Sequence, residues 1–505
     1  MAGDSYSCPS GETIFAGCIA PAASAIGITD TAYQRVYQRV GASKSLPVAG
    51  TYSGSPYKIQ ARACPAGTDP AAGAVAYPWQ ILALNPTGGT FAGNISVPQG
   101  DDWIMQVRDG TNHALSASGT HAFGVGIVIG LLGQSNMENS FSSIFGWPLG
   151  SPHALVKSST TTLQRIGAIK DSFPPSTLSP TYVSWDSIGS TDARDHGNAI
   201  VIMANDLVAA NNDCPVVLLT YAASGTTSAQ WQPGGAYLNA FFTGLDSVGG
   251  DCEAVIWLQG ETDAQTGVSA ATYQSNLQAI FDAIKAHTGR SSGFHFGTVV
   301  VGPAMASAGA WGSAWATEGN LAPIRKAQLD FVAANAGGGA FLAGTDIDGN
   351  LAGASAVHID QTSLFRQGRR YTEALKRRFA GAANGIEGPA IASASRSGTT
   401  ITVSINQHGG TALQDGAGGS GGSLQGFRVF DGGTPATISS TAISGNTVVL
   451  TLAATPTGTV TLDYAMANAP FGSTTAAAAV LYDNQSIPGD SLGLPLQPRQ
   501  LLTVS

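Results

Sequence analysis

The sequence predicts an α/β chain: a doubly wound parallel sheet set between two β-sandwich regions. Three observations carry this. Residues 122–383 alternate apolar, β-branched strands with long amphipathic helices, the pattern of strand–helix–strand units. On either side, short alternating strands recur with turn signals between them, as in antiparallel sandwiches. The chain's 505 residues also exceed the ~250–300 at which single cores stop growing, so several domains are expected.

Composition narrows the function classes. Charged residues are only 11%, glycine alone contributes 65 residues, and the net charge is −9. A nucleic-acid partner would require a basic stripe and would be repelled by this charge on average. The longest apolar run, 123–132, is about half the ~20 residues needed to span a bilayer. No charged n-region followed by an apolar h-region opens the chain, so no signal peptide is expected in it. A soluble protein working outside the cell, or on a cell or virion surface, fits best. The five cysteines, Cys8, Cys18, Cys64, Cys214 and Cys252, show no paired metal-ligand spacing, and neither a metal nor an organic cofactor is implied. Cys8 and Cys18 are spaced to close a small loop in an oxidising compartment, and the odd count leaves at least one thiol unpaired within a monomer.

Residues 1–30 are rich in Gly, Ala, Ser and Pro and read as an N-terminal arm. In 31–121 the tandem Tyr-Gln-Arg-Val repeat from Tyr33 to Val40 alternates as a half-exposed strand would. Further strands are expected at 46–52, 57–63, 79–84, 90–97 and 103–107. They make a sandwich whose aromatics suit sugar stacking, though ordinary core and rim packing is the plainer account. From 122 the parallel-sheet strands are 125–132, 215–221, 254–258, 298–302 and 340–343. Helices are expected over 198–210, 270–287 and 322–334, the second with Tyr273, Leu277, Ile280, Phe281 and Ile284 on one stripe. A last helix, 362–379, carries Arg366, Arg369, Arg370, Lys376, Arg377 and Arg378 and reads as a solvated face with a basic end that complements its dipole. Residues 384–505 return to strands at 399–405, 426–430, 447–452 and 459–464, interrupted by a Gly/Ser-rich loop at 409–422.

Chemistry concentrates at the ends of the parallel strands, where open α/β sheets place their sites. The first strand runs into Gly133-Gln134-Ser135-Asn136-Met137, which delivers a small nucleophile, Ser135, to the sheet edge. The second runs into Ser224-Gly225-Thr226, where Gly225 permits close approach of a backbone N–H. The third ends in Gln259-Gly260-Glu261-Thr262-Asp263, a carboxamide beside two carboxylates. After the fifth, His358 stands just before the last helix. The remaining histidines, His113, His121, His153, His287, His295 and His408, receive no role, and His196 reads as part of a helix entry.

These motifs, in this order, resemble the SGNH hydrolases, and within them the sialate O-acetylesterase-like carbohydrate esterases, over about 122–383. The resemblance implies a flavodoxin-like sheet of order 2-1-3-4-5. It further implies that Ser135 attacks an ester carbonyl with His358 as general base. The N–H groups of Ser135 and Gly225 and the Gln259 side-chain amide would form the oxyanion hole, and Glu261 and Asp263 would brace their loop. The family's triad Asp lies three residues before the histidine, where this chain has Ser355. A Ser-His dyad is therefore expected, with Asp348 held as an alternative third member. Asp346 lies close to Asp348 and is a further upstream acid, while Asp360 is expected to cap the last helix. Gly489-Asp490-Ser491-Leu492 spells a tetrapeptide of related lipases, but no parallel strand precedes it and it is discounted. In the 2-1-3-4-5 order Cys214 and Cys252 are separated by strand 1, roughly 10 Å, so both should be reduced.

The resulting expectation is a carbohydrate O-acetylesterase acting on an acetylated polysaccharide or cell-surface glycan, with oligomerisation open. The rival is a phage-like surface or virion glycan-binding protein that keeps an esterase scaffold for recognition only.

Overall fold

A computed structural model of the chain describes residues 5–7, 13–15, 23–29, 36–70, 77–139, 154–158, 164–165, 186–187, 198–305, 319–352, 356–383, 385–417, 421–422, 424–471 and 476–505. The fold is mixed α/β around one large sheet, with several smaller β-sheets. Across the centre of that sheet the strands run Val216–Ala222, Phe123–Gly133, Ala254–Leu258, His295–Val300 and Ala340–Thr345, every neighbouring pair parallel. Numbered along the chain this is the order 2-1-3-4-5. A sixth parallel strand, Ala154–Ser158, extends the sheet beyond Val216–Ala222. Only five were expected, because this one is a five-residue stretch without a helix-length pattern beside it.

Helices cover both faces, as a parallel sheet buried on both sides demands. Ala270–Thr288 buries the stripe Tyr273, Leu277, Ile280, Phe281 and Ile284, starts at a Ser269 cap and stops at left-handed Gly289. It shares a core with Trp231, Trp257 and Phe331. On the opposite face Met203, Ala204 and Leu207 of Asn198–Ala210 pack with Tyr371, Ala374 and Leu375 of Gln361–Phe379. The helix Ala236–Ser247 was not expected. It buries Leu238, Phe241 and Leu245, but Asn239, Thr243 and Gly244 are weak helix formers that blur its period.

The N-terminal β region departs from expectation twice. The stretch read as an arm contains strands: Ser5–Ser7 pairs with Thr13–Phe15, and Ala23–Ile28 pairs antiparallel with Ser43–Gly54. Small residues do not prevent a ladder, and Ile26 and Ile28 lean on the local core. Cys8 and Cys18 lie outside the described residues, as do residues 33–35 of the Tyr-Gln-Arg-Val repeat, of which Val36–Gln38 is strand. Second, the sheet does not break at residue 122. Phe123–Gly133 pairs at its start with Gly100–Asp109 and Val36–Gln38, then from Ile127 with Val216–Ala222 and from Ile129 with Ala254–Leu258. Eleven fully buried residues, ~36 Å of strand, are long enough to serve both neighbourhoods. The sheet Ala23–Ile28, Ser43–Gly54 and Thr90–Pro98 closes over this region, placing Leu46, Val48 and Ile95 against Ile59, Met105, Val107 and Phe123.

After residue 385 two four-stranded antiparallel sheets form, one of Ala390–Ser397, Thr400–Asn406, Thr447–Leu452 and Ile438–Ser444. The other comprises Thr434–Ala436, Phe427–Asp431, Val460–Tyr464 and Arg499–Thr503. Ile401, Val403 and Leu450 of the first share a core with Val429, Leu462 and Tyr464 of the second, and that core continues onto Val300, Leu342 and Ile347 of the central region. Fully buried Arg325 stitches the join, donating to the carbonyls of Val301, Gly302, Ala465 and Ala467.

The last helix corrects a reading. Not all of its basic residues form a solvated face: Arg370 is fully buried, bonded to Asp348, Asp490 and the Gly493 carbonyl, and Arg369 donates to the Pro488 carbonyl, while Lys376 and Arg377 stay partly exposed in the last turn. The Gly-Asp-Ser-Leu tetrapeptide is thus a clasp on this helix. Cys64, Cys214 and Cys252 are buried free thiols, so Cys214 and Cys252 are reduced. Among the described residues no helix is long and apolar enough to cross a membrane.

Candidate active site

Register brings three loops level. Gly133 stands opposite Ala222 on one side and Leu258 on the other, so Ser135, Gly225 and Gln259 all leave the sheet within three residues of one line. This is the crevice beside the first strand, where the order of a doubly wound sheet reverses. Gly133 is required there: a Cβ would meet the Leu258 carbonyl oxygen at 1.9 Å.

Ser135 opens the short helix Ser135–Asn139 and is 6% exposed. Its N–H is among the first four of that helix, which lack an intrahelical acceptor. Its hydroxyl makes no hydrogen bond among the described residues. Gly225, at φ 72 and exposed, leaves its N–H unbonded among the described residues, in a turn that Thr226 Oγ1 closes onto the Ala223 carbonyl at 2.7 Å.

His358 arrives on the segment after the fifth strand. Asn136 holds that segment on both sides: its Nδ2 donates to the Val357 carbonyl at 3.1 Å, and its Oδ1 accepts from the Ile359 N–H at 3.1 Å. The residue following Ser135 thereby clamps the residues flanking His358. Asn136 Nδ2 also donates to Glu261 Oε1 at 2.6 Å. The sequence offered no signal for this role beyond the position of Asn136 in the Gly-Gln-Ser-Asn motif.

The carboxylates sort by partner. Asp263 Oδ2 accepts from the Ser228 N–H at 2.8 Å and from Gln259 Nε2 at 2.6 Å, while its Oδ1 accepts from Ser228 Oγ at 2.5 Å. It ties the second-strand loop to the third. Burial pushes the Asp263 carboxyl up, with the Ser228 and Gln259 hydrogen bonds opposing. Burial likewise raises Glu261, against its hydrogen bond from Asn136, and its Oε2 is buried without a partner among the described residues.

Two expected roles change. Gln259 is fully buried, and its Nε2 is directed to Asp263 Oδ2, the Thr226 carbonyl at 2.9 Å and Gln134 Oε1 at 3.1 Å. Both its N–H groups are spent inside the protein, so it presents no donor to an oxyanion. The side-chain amide left open is that of Gln134. Its Oε1 is fixed by Gln259 and by the Thr262 N–H at 3.2 Å, and its Nε2 makes no hydrogen bond among the described residues.

Asp348, held as an alternative third member, is engaged with the last helix and Tyr482. It is fully buried and receives two 3.0 Å bonds from Arg370 Nη1, one of 2.8 Å from the Tyr482 hydroxyl, and an ion pair with Arg366 at 3.1 Å. Burial alone would raise its pKa, but Arg370 and Arg366 hold it below the ordinary carboxylate range. Asp346 receives the Tyr371 hydroxyl at 2.6 Å from each carboxyl oxygen. Asp360 caps the last helix, accepting from the Ser363 N–H at 2.7 Å. Ser355, where the family acid would stand, lies outside the described residues, as does His196.

Comparison with known proteins bears on the family and the fold. Residues 126–377 match the family model described as carbohydrate esterase, sialic acid-specific acetylesterase. Among solved structures, a carbohydrate acetylesterase from Xanthomonas citri shares the fold at a TM-score of 0.58 and 18% identity, covering 93% of this chain and 99% of that one. More distant matches are a protein from Arabidopsis thaliana (TM-score 0.32, 16% identity, covering 49% of this chain and 97% of that one) and a family two carbohydrate esterase from Clostridium thermocellum in complex with cellohexaose (0.30, 12%, 71% and 94%). No curated protein matches the chain.

Proposed function

We propose, from the premise that residues 126–377 belong to the carbohydrate esterase, sialic acid-specific acetylesterase family, that this protein removes O-acetyl groups from a polysaccharide by a Ser-His mechanism. Ser135 Oγ attacks the ester carbonyl carbon while His358 Nε2 takes its proton. The C–O bond to the sugar then breaks, and the imidazolium returns the proton to the leaving hydroxyl. Water, activated by the same base, cleaves the acetyl-serine to acetate. The negative oxygen of each tetrahedral intermediate is received by the N–H groups of Ser135 and Gly225 and by Gln134 Nε2, each such donor contributing ~3 kcal/mol. Glu261 and Asp263 brace the surrounding loops. The β regions before and after the catalytic part act as flanking sandwiches that contact the glycan.

The observation that carries this reading is the clamp of Asn136 on Val357 and Ile359, which supports a nucleophile and base drawn from opposite ends of the domain. The test compares acetate release from p-nitrophenyl acetate and from acetylated polysaccharide by the wild type and by Ser135→Ala. The expected outcome is turnover that the substitution abolishes. Equal rates in the two proteins would overturn the enzyme and leave a glycan-binding scaffold.

A further inference from the structure

We infer that Asn136, held by Glu261, is a positioning residue that does for His358 part of what a triad carboxylate does elsewhere, by fixing the backbone on both sides of the base. The inference rests on the Ser135–His358 reading and deepens it. A triad acid orients the imidazole directly through one ring nitrogen. Here the three described carboxylates of the 346–360 segment are engaged with Tyr371, with Arg370, Arg366 and Tyr482, and with the helix cap. The Asn136 carboxamide instead uses both of its ends on the segment carrying the base. Its Nδ2 takes the Val357 carbonyl and its Oδ1 takes the Ile359 N–H.

Such a clamp works only if the amide cannot rotate. Glu261 prevents rotation, because its Oε1 accepts from Asn136 Nδ2 at 2.6 Å and a flipped amide would turn a carbonyl oxygen toward it. Glu261 is itself 2% exposed and opens the helix Glu261–Gln265 directly after the Gln259 loop. One chain of contacts therefore joins the third-strand loop, the residue after the nucleophile, and the residues on either side of the base. Asn136 is 1% exposed and lies beneath the site, so it acts through His358 and not on substrate.

The test uses the full chain and p-nitrophenyl acetate, with melting curves to establish folding. Asn136→Ala should lower kcat by about 10²-fold, the scale of a misplacement near 1 Å, and leave KM close to that of the wild type. Glu261→Ala should lower kcat with KM likewise unmoved. Glu261→Gln, which keeps a carbonyl oxygen for Asn136, should restore most of the loss. The double variant N136A/E261A should be no slower than N136A, since the two act in series. Wild-type kcat in folded N136A would overturn the inference while the esterase reading stands. If N136A does not fold, an unchanged kcat in E261A overturns it equally, as would a change confined to KM. Absence of Ser135-dependent turnover in the wild type would overturn the esterase reading and this inference with it.

Discussion

Replacing Asp348 by Asn separates two accounts of that residue by experiment. As a structural anchor it joins the end of the fifth strand to the last helix and to Tyr482 of the C-terminal region, through Arg370, Arg366 and the phenol. Hydrogen bonds to charged groups contribute about 1.5–3 kcal/mol each, so three partners set a nominal ceiling of roughly 5–9 kcal/mol. Part is retained in the variant. Arg370 keeps Asp490 at 2.8 Å and the Gly493 carbonyl, and Arg366 keeps the Asp348 backbone carbonyl at 2.9 Å. The expected loss is therefore about 3–5 kcal/mol, the range for removing one member of a buried pair. Urea unfolding followed by tryptophan fluorescence measures it, and kcat is measured on protein that remains folded at low urea. An anchor predicts a large fall in stability with kcat per folded molecule close to wild type. A triad acid predicts the reverse, since its amide replacement costs about 10⁴-fold in kcat with geometry intact. A kcat loss of that size without loss of stability would refute the assignment made here.

Two further outcomes follow from the site. Burial raises the Asp346 carboxyl to about 8, against the opposing hydrogen bond from Tyr371. The native state then holds a proton that the unfolded chain releases near its ordinary value of ~3.9. Stability from this group is full below that value and is lost as pH rises through 8, with a slope of up to ~1.4 kcal/mol per pH unit. Asp346→Asn should flatten the wild-type decline in melting temperature between pH 5 and 8 (about the window those two values bound), and an unchanged slope would contradict the assignment. Gln134→Ala should cost about 10²–10³-fold in kcat with a small change in KM, as for a lost oxyanion donor. Kinetics on acetate esters check this, and a fall in Gln259→Ala alone would return the oxyanion role to Gln259.

The order 2-1-3-4-5, and with it the free state of Cys214 and Cys252, was what the family resemblance of the strand-end motifs implied, and the structure has both; the alternation of strands and helices alone points only to the doubly wound class. Strands that end in small or polar residues, followed by helices with a clean 3.6-residue stripe, leave few topologies open. The tight turn that carries Ser135 was legible from local sequence, because a strand that hands its chain to a helix so abruptly needs a residue without a Cβ, and Gly133 marks it. What the sequence did not show was the direction of each side chain. Gln259 reads as a donor from its place at a strand end, yet its amide turns inward because Asp263, four residues on, sits within one helical turn and accepts it. Asp348 lay at a plausible distance upstream of His358, but the arginines that claim it come from a helix whose charge pattern resembles a solvated face. Burial of Arg370 depends on Asp490, 120 residues later, and no local pattern encodes such a partner.

The strand Phe123–Gly133 explains why the first boundary could not be read. Its composition is uniformly apolar from end to end, which is the mark of a strand covered on both faces, and that mark is the same whichever elements do the covering. Along its edges the N-terminal end pairs with Val36–Gln38 and Gly100–Asp109, and the rest pairs with the parallel sheet. Pairing therefore changes partners in mid-strand with no change in residue type. The consequence for the site is mechanical. Ser135 is mounted two residues beyond the end of a strand gripped along both edges, and Asn136, one residue further on, inherits that rigidity when it holds the segment of His358. His358 comes from the far end of residues 126–377, but its backbone is tied to a strand paired along both of its edges.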